Sequence, residues 1–239
     1  MAPSVRTARL TGLAYLGLAL TAVIGSLVLR PGLYVAGDPS ATLANLLAHQ
    51  ATARGVVALE IGVSLTQALV AVLFYRLFRS VDGFAAGAVA AFGLVNATMI
   101  LVSAGLLGTA NAVAFDAAGG AAATVQLMYV MSEHMWAVAA LFFGLWLLPM
   151  GWLAHRSRWM PRPLGWFVMA GGAGYVLNSF AGHLAPDATA VTNVLLVPAA
   201  IGELWMIAYL LVRGVRPGTA PPERVDMASP TPENRSHKP

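Results

Sequence analysis

The sequence predicts an all-α, polytopic membrane helix bundle with six transmembrane helices and both termini in the cytoplasm. Three observations lead to this fold class. The composition is 58% hydrophobic and only 10% charged, with a mean hydropathy of +0.72, whereas soluble domains contain roughly 45–50% apolar residues. The apolar residues form six long runs, and the basic residues gather between alternate runs.

Each apolar run is long enough to cross a bilayer, which takes roughly 20 helical residues. We place the runs at residues 8–29, 53–78, 84–110, 125–153, 164–184 and 192–213. Turn-forming residues separate them, as in residues 30–32 and 37–40 after the first run. The first run follows Arg6 and Arg9, as the apolar region of a signal peptide would, but a run of roughly 20 residues is long for such a region. We therefore interpret it as a membrane helix.

The distribution of positive charge predicts the orientation of the bundle, because basic residues in short loops favour the cytoplasmic side. Twelve of the fourteen basic residues lie at the start of the first run, at the end of the second, between the fourth and the fifth, or at and beyond the end of the sixth. The remaining two, Arg30 and Arg54, border the first outer loop. Both termini are therefore expected in the cytoplasm. The same pattern explains the basic pI of 9.9, so we expect no nucleic-acid partner.

The chain divides into two parts by composition. Residues 1–217 are expected to form one six-helix transmembrane domain, whereas residues 218–239 are rich in proline, serine and charge and are expected to be a disordered cytoplasmic tail. The chain contains no cysteine, which excludes disulfides, thiolate catalysis and metal sites with cysteine ligands.

Polar and ionisable residues within or bordering the predicted helices are the candidates for a functional site. An ionisable group in hydrocarbon costs about 2.5–3.5 kcal/mol, so such residues usually face the bundle interior and pair with one another. From the rise of about 1.5 Å per residue, several of them share the outer half of the membrane, with Glu203 deeper. The candidates for ligand binding or proton coupling are Glu60, Glu133, His134, Asn178, Glu203 and Arg54, with His183 in the same outer layer.

The contacts expected of these residues follow from helix geometry and charge. Glu133 and His134 are adjacent and diverge by about 100°, so only one is expected to face the bundle interior. Glu60 and Glu133 are expected to pair with Arg54 or a histidine, or to share a proton, because two bare carboxylates repel in a low dielectric. The alternative is that each glutamate is only a structural hydrogen-bonding group.

Other patterns favour neither a cofactor nor a metal. The segment GGAG at 171–174 follows no strand, so it predicts close helix packing rather than a dinucleotide loop. The spacing of His49, His134 and His183 does not favour a metal site, and the chain carries no zinc-protease or serine-hydrolase signature. We therefore expect no metal and no cofactor.

Several short segments together resemble a known family. They are ARLTGLAYL at 8–16, RSRWMPRPLGW at 156–166, GGAGY at 171–175 and IGELW at 201–205, together with Arg54 at an apolar helix start. In their order and spacing they are similar to the bacterial integral-membrane family catalogued as domain of unknown function 4386. The resemblance implies a polytopic bacterial membrane protein, and it implies no activity or site residues.

Three hypotheses for function remain, all for a protein of the cell membrane whose partners are the bilayer and, in two of them, a small molecule. The protein binds or transports a small polar solute, cation or proton through the outer polar residues. Alternatively, it is a structural or regulatory subunit that needs those residues for helix pairing. The third is a membrane-embedded enzyme that acts on a lipid or isoprenoid with a glutamate as general acid or base.

Overall fold

The computed structural model describes residues 5–116, 121–184 and 189–215, without the side chains of residues 183 and 189–193. Helices and short connections account for all of these residues, with no strand among them. The first helix continues into a π-helical stretch, Val23–Leu29, and a short 3-10 helix, Arg30–Gly32. The seven α-helices of the described chain are α1 (Val5–Ala22), α2 (Pro39–Ala48), α3 (Gln50–Phe78), α4 (Gly83–Phe115), α5 (Ala121–Ser157), α6 (Arg162–Leu184) and α7 (Thr189–Val212).

The all-helical fold class is confirmed, and a helix stands at each of the six predicted positions. Five helical segments of the described chain are long and apolar enough to cross a membrane: Val5–Gly32, Gln50–Phe78, Gly83–Phe115, Ala121–Ser157 and Val194–Val212. The remaining predicted span, residues 164–184, coincides with α6, which is not among these five segments. The predicted tail, 218–239, lies outside the described residues.

The structure also contains a helix that the sequence analysis did not predict, α2. We expected a turn at residues 37–40, but Asp38 caps a helix there, and its Oδ1 accepts a hydrogen bond from the backbone N–H of Ala41 at 2.9 Å. Pro39 occupies the first turn. An aspartate cap followed by proline is a helix-start signal as well as a turn signal. α2 packs on α3, α4 and α5, with Leu46 fully buried.

The six long helices form a closed ring in chain order. α1 packs on α3, and each later helix packs on the next until α7 returns to α1. In one half of the ring, the edge of the Tyr15 ring meets Phe74 at 5.7 Å and Trp146 at 5.5 Å between ring centroids. A second, smaller apolar core lies beneath α2 and includes Leu46 and Tyr129.

Glycines bring α5, α6 and α7 into close contact. A Cβ added to Gly172 would lie 2.8 Å from the carbonyl oxygen of Gly144, and one added to Gly171 would collide with the backbone of Ala199. Helices approach this closely only where side chains are absent or very small. The prediction that the segment 171–174 allows close packing is confirmed.

One end of the ring carries most of the basic residues. Trp159, between α5 and α6, stacks on Phe78 with ring centroids 6.0 Å apart, and its carbonyl oxygen accepts a hydrogen bond from the hydroxyl of Tyr209 at 2.9 Å. Gly214 packs against Val5 nearby. The basic residues at this end are Arg6, Arg9, Arg76, Arg79, Arg156, Arg158, Arg162 and Arg213.

Candidate functional site

Glu60, on α3, is buried inside the ring. Its Oε1 accepts hydrogen bonds from Nε1 of Trp136 at 3.0 Å and from Nη1 of Arg30 at 3.5 Å. Its Oε2 accepts one from the hydroxyl of Ser103 at 2.8 Å, and that hydroxyl lies 2.7 Å from the hydroxyl of Ser132. A carboxylate has about four acceptor positions, so these donors nearly saturate it. We call these five residues the Glu60 cluster.

Arg30 reaches the Glu60 cluster from the end of the π-helical stretch and is itself buried. Its Nη2 donates to the backbone carbonyl oxygen of Tyr129 at 3.3 Å, and its guanidinium lies 5.7 Å from the centroid of the Tyr129 ring. A buried charge is tolerated when it is both paired and hydrogen-bonded. The ion pair between Arg30 and Glu60 meets both conditions.

Glu133 lies outside the Glu60 cluster, on an exposed part of α5. Its carboxylate lies beside the hydroxyl of Tyr34, whose ring stacks on Tyr129 with centroids 5.3 Å apart. Burial raises the pKa of Tyr34 from its usual 10.0, and the Glu133 carboxylate raises that pKa further because it repels a phenolate and accepts a hydrogen bond from the neutral hydroxyl. This pair belongs to the rim of the bundle.

A cavity of about 380 Å³ lies inside the ring, next to the Glu60 cluster. Its volume falls within the range of about 300–1,000 Å³ that is common for small-molecule sites. All six helices of the ring contribute to its wall, which is mostly apolar and includes Leu18, Val63, Ile100, Phe143 and Ile207. We call it the Glu203 cavity.

Several polar side chains face the Glu203 cavity. Oε2 of Glu203 accepts a hydrogen bond from the hydroxyl of Tyr15 at 2.9 Å. Gln67 is fully buried, and neither atom of its amide group has a partner in the described part of the chain. Asn96 donates to the carbonyl oxygen of Ala139 at 2.8 Å, but its Oδ1 is also without a partner there. A buried polar atom without a partner costs about 1–3 kcal/mol of stability. An occupant of the cavity that forms hydrogen bonds with these atoms would remove that cost.

Trp136 belongs to both sites. Its indole N–H donates to Glu60, and its side chain also lines the Glu203 cavity. The ion pair and the cavity are therefore separated by one aromatic ring.

The structure places the residues predicted for the site in different environments. Glu60 and Glu203 face the interior of the ring, in neighbouring sites. The pairing of Glu60 with Arg54 is wrong: Arg54 is exposed, with its guanidinium 5.3 Å from the centroid of the Phe115 ring. Six residues along a helix rotate the side chain by about 240°, which turns Arg54 away from Glu60. Arg30 is the partner instead.

Glu133 and His134 are both exposed on α5, so the structure does not bring Glu133 to Glu60. The interior face of α5 carries Tyr129, Ser132 and Trp136. At about 100° per residue, Glu133 lies about 70° and His134 about 170° around the helix from the middle of that face. We expected one of these two residues to face the bundle interior, but neither does.

The two remaining candidates are on α6. Asn178 is half-buried and is not part of the cavity wall, and the side chain of His183 lies outside the described residues. Within the described chain, no three side chains of histidine, aspartate or glutamate come together as metal ligands.

Sequence reasoning missed several residues of both sites, and two of them carried a signal. Gln67 follows Glu60 by seven residues, and Ser103 follows Asn96 by seven, so each pair lies on one face of its helix two turns apart. Polar residues at that spacing in an apolar helix indicate a polar interior face. Arg30 carried no such signal, because the sequence Arg30-Pro31-Gly32 has the composition of a turn. In the structure, Arg30 directly follows the π-helical stretch and faces the interior of the ring.

Comparison with known proteins assigns the family. The family profile described as Domain of unknown function (DUF4386) matches residues 10–214, which is most of the chain. The chain belongs to the DUF4386 family. This membership confirms the resemblance noted in the sequence. No curated protein and no solved structure matches this DUF4386 chain significantly.

Proposed function

We propose that this DUF4386 protein is a multi-pass protein of the bacterial cell membrane that binds a small, mostly apolar molecule in the Glu203 cavity. It crosses the membrane six times, with both termini in the cytoplasm. Binding inside the helix ring, rather than passage of a polar solute through the outer carboxylates, is the function that the geometry supports best.

The outer surface of the ring supports membrane insertion. Large apolar side chains point outward from several helices, among them Leu13 at 60% exposure, Leu65 at 68% and Leu204 at 64%. Soluble proteins rarely expose contiguous apolar surface on this scale, whereas lipid tails solvate it well. α6 packs between α5 and α7 in the ring and therefore shares their depth. The basic end of the ring supports a cytoplasmic location for both termini.

Gln67 carries the proposal for ligand binding. An amide that is fully buried in an apolar ring without any partner costs stability, and leucine would fit an apolar interior better. Gln67 lies in the wall of the Glu203 cavity, and a molecule bound there would supply the hydrogen bonds that its amide lacks.

The Glu60 cluster supports a second, structural role in the same protein. Its hydrogen bonds join the end of the first helix to α3, α4 and α5, and the carboxylate has little acceptor capacity left for a ligand. We propose that the cluster fixes the arrangement of these helices around the cavity.

The proposal is tested by purifying the full-length protein in a mild detergent and identifying the bound molecules by native mass spectrometry. The cavity-filling variant Ala140→Trp should lose the bound molecule, because Ala140 lines the cavity. The matched control is Ala137→Trp, which lies three residues earlier on the exposed side of α5 and should retain it.

Absence of any bound molecule from the purified wild type, together with no stabilisation by added amphiphiles, would refute the proposal. Equal retention in the two tryptophan variants would also refute it. If Ala140→Trp does not fold, Gln67→Leu provides a second test, because it removes the polar atoms of Gln67 from the cavity wall and should weaken retention of the bound molecule.

A further inference from the structure

We infer that the occupant of the Glu203 cavity is a long-chain amphiphile that enters from the bilayer, with a head group that donates hydrogen bonds to the cavity wall and a chain that leaves between α1 and α7. This inference rests on the proposed function and specifies the chemical class of the ligand and its route.

The polar atoms of the cavity determine the chemistry of the head group. Acceptors dominate: the carboxylate of Glu203, Oε1 of Gln67 and Oδ1 of Asn96, the last two without a partner in the described chain. The described wall offers fewer free donors: Nε2 of Gln67 and the hydroxyl of Tyr175, whereas the hydroxyl of Tyr15 already donates to Glu203. A head group that donates, such as a hydroxyl or an amine, matches this set. A head group that only accepts hydrogen bonds would leave these acceptors without a partner.

The apolar wall fits the remainder of an amphiphile. Most of the cavity wall consists of aliphatic and aromatic side chains that form no hydrogen bonds, such as Leu18, Ile100 and Phe143. A molecule that is polar throughout would lose its hydration against these side chains. An alkyl or isoprenoid chain forms no hydrogen bonds with water, so its burial against these side chains is favourable.

The contact between α1 and α7 leaves an opening on the lipid side. Near the basic end, the two helices touch closely, because a Cβ on Gly12 would lie 2.8 Å from Cβ of Leu210. Further from that end, three residues line the cavity and are also exposed: Val23, in the π-helical continuation of α1, and Ala200 and Leu204 of α7. The cavity wall is therefore continuous with the outer surface of the ring between α1 and α7.

Routes along the axis of the ring are filled in the described chain. Towards the basic end, the rings of Tyr15, Phe74 and Trp146 pack against one another. On the other side, Trp136 and the ion pair of the Glu60 cluster occupy the space between α3, α4 and α5. Entry between α1 and α7 avoids both obstacles and leads directly to lipid.

Three probes with the same chain test the head group: dodecanol, dodecylamine and dodecyl methyl ether, which accepts hydrogen bonds but donates none. Binding is measured on the full-length protein in lipid nanodiscs by equilibrium dialysis. We expect the alcohol or the amine to bind about tenfold more tightly than the ether, which corresponds to about 1.4 kcal/mol. Gln67→Leu should remove most of that preference, whereas the exposed control Thr98→Val should leave it unchanged.

A pair of variants on α7 tests the route. Ala200→Phe narrows the opening and should slow association of the preferred probe at least several-fold. Ala208→Phe, on the same helix and exposed but outside the cavity wall, should leave the association rate unchanged.

The outcomes separate the two proposals. If all three probes bind equally well, or if the preference survives Gln67→Leu, the donor head group is overturned while binding in the cavity stands. If Ala200→Phe associates as fast as Ala208→Phe, entry between α1 and α7 is overturned. If no probe binds but another molecule co-purifies, the amphiphile is the wrong class. If nothing binds and nothing co-purifies, the proposed function itself fails.

Discussion

The ion pair between Arg30 and Glu60 gives the sharpest prediction about stability. Among the described residues, Glu60→Leu leaves the buried guanidinium of Arg30 with one hydrogen-bond acceptor, the carbonyl oxygen of Tyr129 at 3.3 Å, beside the Tyr129 ring. Removing one partner of a buried pair costs about 3–5 kcal/mol because the other charge remains without compensation. Arg30→Leu should cost a similar amount, towards the lower end of that range, because Glu60 keeps its bonds to Trp136 and Ser103.

The double variant Arg30→Leu/Glu60→Leu should be more stable than either single variant. Both charges are gone, and Ser103 still has Ser132 as a partner at 2.7 Å. The main loss is then the acceptor of Trp136, and a hydrogen bond within a membrane bundle contributes about 0.6 kcal/mol on average. We therefore expect the double variant to recover about 2–4 kcal/mol relative to the single variants.

Reversible unfolding in mixed micelles, followed by circular dichroism, measures these differences. Arg54→Leu is the control: its guanidinium is exposed over Phe115, so its loss should cost about 0.5–1 kcal/mol. The reasoning is refuted if Glu60→Leu costs no more than Arg54→Leu, or if the costs of the two single variants add in the double variant.

Three further predictions follow from other parts of the structure. Reporter fusions after Asp116 or Asp187 should report the outer face, and a cytoplasmic signal at both sites would contradict the topology. Gln67→Leu should raise the stability of the ligand-free protein by about 1–3 kcal/mol, because it removes buried atoms without partners; equal or lower stability in micelles would argue against an empty, polar cavity wall. Because the pKa of Tyr34 is raised above 10.0, its stabilising contribution is complete below pH 10 and is lost as the pH rises through the folded-state value. Glu133→Gln should lower the midpoint of tyrosinate absorbance for Tyr34, and an unchanged titration curve would show that the two groups do not interact.

The sequence was sufficient to predict the positions of the six long helices, because these depend on local composition. Long apolar runs between turn residues located the six long helices, and the segment 171–174 predicted their close packing. The start of α2 was missed because Asp38 and Pro39 are equally good signals for a turn and for a helix cap. The burial of Leu46, on the inner face of α2, distinguishes a helix from a turn here, and it is visible only in the folded structure.

The site was harder to predict because it depends on helix rotation. Depth along a helix follows from residue number, and it pointed to Glu60 and Glu203, which face the interior of the ring. Direction depends on which face packs inward, and for α5 that face carries Ser132 and Trp136 rather than Glu133 or His134. The position of Arg30 depends on the π-helical stretch, whose extra residue per turn has no recognisable signature in this sequence.

The shared indole of Trp136 has a thermodynamic consequence. A molecule in the Glu203 cavity touches the same ring whose N–H completes the coordination of Glu60, so binding and charge pairing are not independent events. Linkage between two sites is reciprocal. If neutralising Glu60 changes the affinity of the cavity for its ligand by some factor, then filling the cavity changes the equilibrium constant for neutralising Glu60 by the same factor. On the proposed function, the helix bundle would report the presence of a lipid-soluble molecule through the strength of a salt bridge that the molecule never touches.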